Sequence, residues 1–278
     1  MAFRKNTREI LRRYAASKLG HEALSFPIEL DEGKRTHIHL AVFDRALTAV
    51  RVAVFPESEP LTEWCRRTQI FHAIVGGFFM RGRGLPVGEV WMRGQPVESH
   101  LGPWADERGT LSVENGEVWI AARRELPKHP QGDLIQAGPT LLIGGRSQVY
   151  PGAALDGFPE TWRRTNDTDI TKGRYQRAAI GLSDDRIWVL ACDGPYTVPK
   201  RLRQTPADAG LTIGELAELF VELGCSDALN LDGGGSTSLV HRGRLVNRPR
   251  AGIRDSQTPG TVLSEGRKVH SAIAFLPR

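Results

Sequence analysis

Cysteine is scarce in this chain of 278 residues: Cys65, Cys192 and Cys225 are the only three, and no two form a Cys-x-x-Cys pair. That excludes a disulfide-stapled scaffold and a cysteine zinc cluster, and the odd count fits a reducing compartment. No apolar run approaches the roughly 20 residues that a bilayer span requires. Repeats and low-complexity tracts are missing as well. Hydrophobic residues make up 40% and charged residues 25%, ordinary globular proportions, so neither a disordered tail nor a collagen-like rod fits. The opening residues lack the apolar core, about 7–15 residues long, that follows the charges of a secretory signal. A cytoplasmic location is therefore expected.

What positive charge there is sits at one end. The first twenty residues carry Arg4, Lys5, Arg8, Arg12, Arg13 and Lys18 against Glu9 alone, so the formal charge of +5 is concentrated there and the rest is neutral. The same stretch reads as a helix with Asn6 and Glu9 as a capping box, Ile10, Leu11, Tyr14, Ala15 and Leu19 on one stripe, and Gly20 as its end. Residues 1–20 thus read as a basic amphipathic helix ahead of a domain over 21–278. Packing on that domain is the plain reading, and peripheral contact with an anionic membrane is the alternative. A neutral body without a basic, aromatic-lined groove makes nucleic acid an unexpected partner.

Strand signals dominate the remainder. Ala49 to Val54 is rich in β-branched residues, with Pro56 and Pro60 expected to end that strand. A short helix fits Leu61 to Thr68, and Ile70 to Val75 reads as a buried strand entering Gly76-Gly77. Asn115-Gly116 between two apolar runs is the strongest hairpin signal, because the pair supplies the two positive-φ positions of a type I′ turn. A second hairpin turns at Ser183 to Arg186 and a third at Arg242-Gly243. Thr212 and Glu215 form a capping box opening a helix that ends at Gly224. Regular βαβ alternation is missing, so the fold class is α+β: mixed, hairpin-rich sheets with a few packed helices.

Asp232-Gly233-Gly234-Gly235-Ser236, at the end of a predicted strand, is the most informative run. Three successive glycines cost about 0.5–1 kcal/mol each relative to alanine, and suit a sharp turn or a close backbone approach. Their N–H groups can cradle an anion, with Ser236 and Thr237 adding hydroxyls. No lysine follows at P-loop spacing, which excludes a nucleotide loop. Asp232 can take a sugar hydroxyl, hold a metal, act as base or nucleophile, or simply cap its own turn. Asn230 precedes it by two residues and shares its face of the strand. His37 and His39 alternate on one strand face and read as structural or solvent-facing, while His100 lies in a loop as a candidate substrate contact. The cysteines read as core thiols.

These residues carry a family resemblance. Asn230-Leu231-Asp232-Gly233-Gly234-Gly235-Ser236-Thr237-Ser238-Leu239, with Gly76-Gly77-Phe78-Phe79, resembles the phosphodiester glycosidase family and its bacterial exopolysaccharide-related members. Ala137 to Leu141, Arg177 to Gly181, Cys192-Asp193-Gly194 and Gly210 to Thr212 extend the likeness in the same order. Val75 stands where the family usually has asparagine, Ala178 where it has threonine, and Pro195 where arginine commonly follows. Each change removes a polar group that would be expected to line the site.

The resemblance implies a single phosphodiester-glycosidase-like domain that hydrolyses a glycosidic bond to a phosphodiester oxygen. That chemistry asks for a carboxylate near the anomeric carbon and donors near the phosphate. Asp232 is expected as nucleophile or base, Asp193 as a second carboxylate and general acid, and Arg177 with the Gly233–Gly235 backbone as phosphate donors. Asn230, Ser236, Gly76, Gly77, Thr140 and His100 are expected to contact a sugar phosphate or glycan. No cofactor is required, and a divalent metal on Asp193 and Asp232 is left open. A non-catalytic sugar-phosphate- or carbohydrate-binding protein on the same fold, associated with cell-envelope polysaccharide synthesis, is the alternative.

Overall fold

The computed structural model describes residues 3–17, 23–31, 33–80, 82–158, 171, 173–195, 208–251 and 261–278. Helix α1 (Lys5–Ala16) comes first, then β1 (Ala23–Glu29), β2 (Arg35–Asp44), β3 (Thr48–Pro60), α2 (Leu61–Thr68) and β4 (Ala73–Val75). Strands β5 (Val90–Met92), β6 (Gln95–Val97), β7 (Gly109–Glu114), β8 (Glu117–Ala122) and β9 (Asp133–Gln136) follow. The chain continues through β10 (Thr140–Ile143), β11 (Arg146–Ser147), β12 (Arg177–Leu182), β13 (Arg186–Cys192) and α3 (Ile213–Glu222). It ends with β14 (Asp227–Asn230), β15 (Leu239–His241), β16 (Arg244–Leu245) and β17 (Lys268–Pro277). This is the α+β, hairpin-rich fold that the sequence pattern predicts.

A seven-stranded sheet in the order β1-β2-β13-β12-β14-β10-β11 is the backbone of the molecule. Two five-stranded sheets, β16-β15-β4-β17-β3 and β6-β5-β9-β7-β8, complete it. The named strand pairs are all antiparallel. Period-two alternation on β13 divides the interior. Ile187, Val189 and Ala191 join Ile180, Leu229, Ile74, Ile135 and Ile273 in a core shared by the three sheets. Trp188, Leu190 and Cys192 face the other way, into a second core with Leu211, Leu216, Phe220 and Leu11. Central strands buried on both faces explain their near-continuous apolar sequence.

Local chemistry accounts for the predicted turns. Asn115 and Gly116 take φ of 51° and 81° between β7 and β8, and Arg242 and Gly243 take 51° and 73° between β15 and β16. Thr212 and Glu215 cap α3 reciprocally. The three cysteines are free and buried.

Two expectations are corrected. Helix α1 begins at Lys5 with Arg4 as its N-cap and no side-chain capping bond, so the Asn6–Glu9 box does not form. Strand β3 runs on through Pro56 to Pro60. It is the outer strand of its sheet, and an edge position asks fewer N–H groups of a strand, so proline is tolerated there. The other strand expectation narrows, since β4 spans only Ala73–Val75.

Helix α1 buries Leu11 and Thr7 and sets Tyr14 against Phe26 at 5.1 Å between ring centres, the rings tilted by 37°. Part of its basic face is spent inside the protein. Arg12 pairs with Glu222 of α3 at 2.6 Å, and Arg8 lies 3.7 Å from Glu218 and 3.8 Å from Glu222. Lys18, Leu19 and Gly20 lie outside the described residues. Among the described residues no helix is long and apolar enough to cross a membrane.

Candidate functional site

The chain changes partners at Asp232. Leu231 still donates its N–H to the Ala178 carbonyl of β12 at 2.8 Å, whereas Asp232 donates to the Gly76 carbonyl at 3.0 Å. The glycine-rich loop is thereby fastened to the turn that leaves β4. Glycine is required at that turn by close packing. A Cβ on Gly76 would sit 2.5 Å from Ser271 Oγ and 2.9 Å from Ile135 Cδ1, and one on Gly77 would sit 2.5 Å from the Gln136 carbonyl oxygen. Gly76 therefore meets the Asp232 loop through its backbone, and Gly77 packs on Gln136.

Asp232 is half-buried, and its Oδ1 accepts the Gly233 N–H at 2.9 Å. Gly234 donates to the Gln176 carbonyl at 2.9 Å. A short 3-10 turn over Gly234–Ser236 follows, with Ser236 buried and donating its N–H to Gly233. Two of the three glycine amides expected to cradle an anion are thus already spent within the protein, which corrects the picture of an open three-amide nest.

Asn230 is 2% exposed on β14. Its Nδ2 donates to the carbonyls of Gly138 at 2.7 Å and Leu231 at 3.0 Å, while its Oδ1 is buried without a hydrogen-bond partner. Past the glycines, Thr237 Oγ1 and Ser238 Oγ are in the same condition. Buried polar atoms normally find partners, and clusters of unmet ones mark places where water or a ligand is held.

Asp193 follows β13 and is 2% exposed. Its Oδ2 lies 3.1 Å from His39 Nε2, and its Oδ1 accepts the Arg248 N–H at 2.8 Å. Burial alone would raise its pKa. The His39 hydrogen bond and charge, the Arg248 amide and the charge of His37 together outweigh that and hold it below the usual carboxylate range. An ionised Asp193 is poorly set to donate a proton, against the general-acid expectation. Its link to the glycine loop runs through Gln176, whose side-chain Oε1 accepts the Arg250 N–H at 3.2 Å and whose carbonyl holds Gly234.

Arg177 is buried at 3% exposure. Register sets it opposite Cys192, and its guanidinium donates to the carbonyls of Leu211 at 3.0 Å and Gly173 at 3.2 Å. These bonds hold it among backbone carbonyls beside Cys192, whose thiol feels both its charge and that of Asp193. Thr140 is likewise committed: its N–H and hydroxyl both reach Asp156 Oδ2, at 2.5 and 2.7 Å. His100 is exposed in an isolated bridge with Val87, and no described contact ties its ring to Asp232.

The structure also adds residues that sequence reasoning passed over. Asp156 clamps Thr140 and the Gly109 N–H; burial raises its carboxyl, opposed by those bonds and by Arg108. Arg108 is sandwiched between Trp104 and Phe158, 3.6 Å from each ring centre. Arg248, whose amide holds Asp193, leaves an exposed side chain with no described hydrogen bond. Short local motifs signal none of these, because each depends on loops meeting across sheets.

The family departures read differently in three dimensions. Val75 and Ala178 are fully buried members of the shared core, so they remove polar groups from the interior and not from an open wall. Among the described residues no group of three or more His, Cys, Asp or Glu side chains is placed to hold a metal ion.

Comparison with known proteins settles the relationship. The model of the phosphodiester glycosidase family matches residues 68–276, most of the chain. The chain belongs to the phosphodiester glycosidase family. The catalytic domain of zebrafish N-acetylglucosamine-1-phosphodiester alpha-N-acetylglucosaminidase, auto-inhibited by its pro-peptide, shares the fold with a TM-score of 0.67 at 15% identity, covering 100% of this chain and 96% of that one. A hypothetical protein from Synechocystis aligns with a TM-score of 0.58 at 17% identity, over 91% of this chain and 61% of that chain. A Burkholderia pseudomallei K96243 protein described as exported aligns with a TM-score of 0.62 at 15% identity, over 88% of this chain and 75% of that one. In sequence, the uncharacterized SPbeta prophage-derived protein YomE of Bacillus subtilis (strain 168) is 30% identical over 122 residues, 43% of this chain and 17% of that protein. The stretch shared with this curated relative is thus about a sixth of its length. The similarity of this phosphodiester glycosidase family member to an exported protein points away from the cytoplasm and corrects the expected location.

Proposed function

We propose that this protein hydrolyses the glycosidic bond of a sugar joined through its anomeric oxygen to a phosphodiester or related leaving group. Asp232 is the carboxylate at the anomeric centre, as nucleophile or as base for water. One observation carries the reading: Asp232 stands half-buried where β14 meets the Gly76 turn, two residues from the buried, unpartnered Oδ1 of Asn230. An oxocarbenium-like transition state gains from a carboxylate held close to the ring.

The other groups follow from their surroundings. Asp193, held ionised, contributes negative charge and anchors the Arg248 backbone. The exposed Arg248 guanidinium takes the phosphate, for which its planar fork is matched, while Arg177 keeps β12 and the Leu211 segment together. Phosphate leaves readily, so stabilising its charge matters more than protonating it.

The test is a panel of sugar-1-phosphodiesters beside aryl glycosides of the same sugars. Turnover is expected on the phosphodiesters, with Arg248→Ala raising KM for them more than for the aryl compounds. Saturable sugar-phosphate binding with no turnover on any substrate would favour the non-catalytic binding protein instead.

A further inference from the structure

A second constellation lies beside Asp193. Ser25 on β1 and His39 on β2 are directly opposed in the sheet, and Ser25 Oγ is 2.8 Å from His39 Nδ1. The other ring nitrogen, Nε2, is 3.1 Å from Asp193 Oδ2. His39 and Asp193 are buried at 5% and 2% exposure, whereas Ser25 is exposed. A hydroxyl open to solvent is thus backed by a buried imidazole, which is backed by a buried carboxylate. We propose that Ser25 is an activated nucleophile, with His39 as its base and Asp193 as the group that positions His39, and that it takes acyl esters and similar carbonyl electrophiles.

Proton bookkeeping favours this direction. An ionised carboxylate can only accept, so with Asp193 held ionised the proton between Oδ2 and His39 lies on Nε2. With Nε2 as the donor, Nδ1 is the ring atom left to accept from the Ser25 O–H, as the base in a nucleophile–base–acid relay does. His37 is engaged separately, with its Nδ1 2.7 Å from Asp208 Oδ1, and does not compete for Ser25.

The step balances without a further reagent. Ser25 Oγ bonds to the acyl carbon as its proton passes to His39 Nδ1. The tetrahedral centre collapses, the carbon–oxygen bond to the alcohol breaks, and the leaving oxygen takes the proton from Nδ1. Water attacks the acyl-serine, gives a proton to Nδ1 and releases the acid, with the proton returning to Ser25. Neither Ser25 nor His39 falls within residues 68–276, the stretch that matches the family, and the activity does not depend on Asp232.

Incubation of the full chain with a fluorophosphonate probe, followed by peptide mass spectrometry, tests it. The expected result is an adduct on Ser25, abolished in Ser25→Ala, unchanged in Asp232→Asn, and slowed at least about 100-fold in His39→Gln. Ser25 is exposed, so Ser25→Ala is expected to fold, and it leaves the glycosidase site intact. Absence of an adduct on Ser25, labelling no faster than at other exposed serines, or unslowed labelling of a folded His39→Gln would overturn the proposal.

Discussion

The carbonyl oxygen of Gly76 accepts the backbone N–H of Asp232 at 3.0 Å, joining two glycine-rich turns that are 156 positions apart in the chain. The carboxylate of Asp232 is thereby positioned by the packing of a turn on a different sheet. Disturbing that turn should disturb the site even though no side chain of it contacts Asp232.

Gly77→Ala tests this. The new Cβ would fall 2.5 Å from the Gln136 carbonyl, a backbone atom that cannot swing aside. A loss of about 1–3 kcal/mol is expected in urea unfolding, the ordinary cost of overpacking. An unchanged midpoint would show that Gly77 is not packed against the Gln136 carbonyl as described.

The acid side of stability should depend on Asp193. Its folded pKa is lowered, so the stabilisation is fully present above the ordinary carboxylate range and is lost as pH falls through the lower folded value. Asp193→Asn should lack that part of the slope in unfolding curves collected over a pH series. Parallel profiles for the two proteins would contradict the pairing with His39 and Arg248.

Helix α1 is held chiefly by one side chain. Leu11 is fully buried, so Leu11→Ala should cost about 2–5 kcal/mol. Ile10, its exposed neighbour, should cost within about 0.5 kcal/mol on replacement by alanine. The half-exposed Arg12–Glu222 pair should contribute about 1 kcal/mol or less in a double-mutant cycle and weaken with salt. Equal losses at residues 10 and 11 would rule out this docking.

Thiol reagents should find no target in the native state. Burial pushes the Cys65 thiol up to about 12 and raises Cys192 and Cys225 further. Titration with an aromatic disulfide should detect three thiols only after denaturation, and rapid modification of the folded protein would contradict the packing.

What could be read in advance followed locality. Asn115-Gly116 and the Thr212–Glu215 box are self-contained, since each turn or cap is made by the residues that signal it. Asp232 and its glycines were legible for the same reason, as an unusual string whose backbone needs are visible in composition. Pro56 to Pro60 misled because proline's penalty depends on strand position, and a sequence does not say which strand is the edge. The pairing of His39 with Asp193 was hidden by a separation of 154 positions, and the partners of Arg177 by the choice of sheet face. Long-range pairing decided the roles of these three, while local pattern decided the elements that carry them.

In the proposed reaction Asp232 acts on the anomeric carbon. The most direct measurement is kcat of the protein and of Asp232→Asn on the best sugar-1-phosphodiester, with unfolding curves confirming that both are folded. A fall in kcat of about 10²–10⁴-fold in the folded variant is the predicted result. Undiminished turnover by a folded Asp232→Asn protein would contradict it.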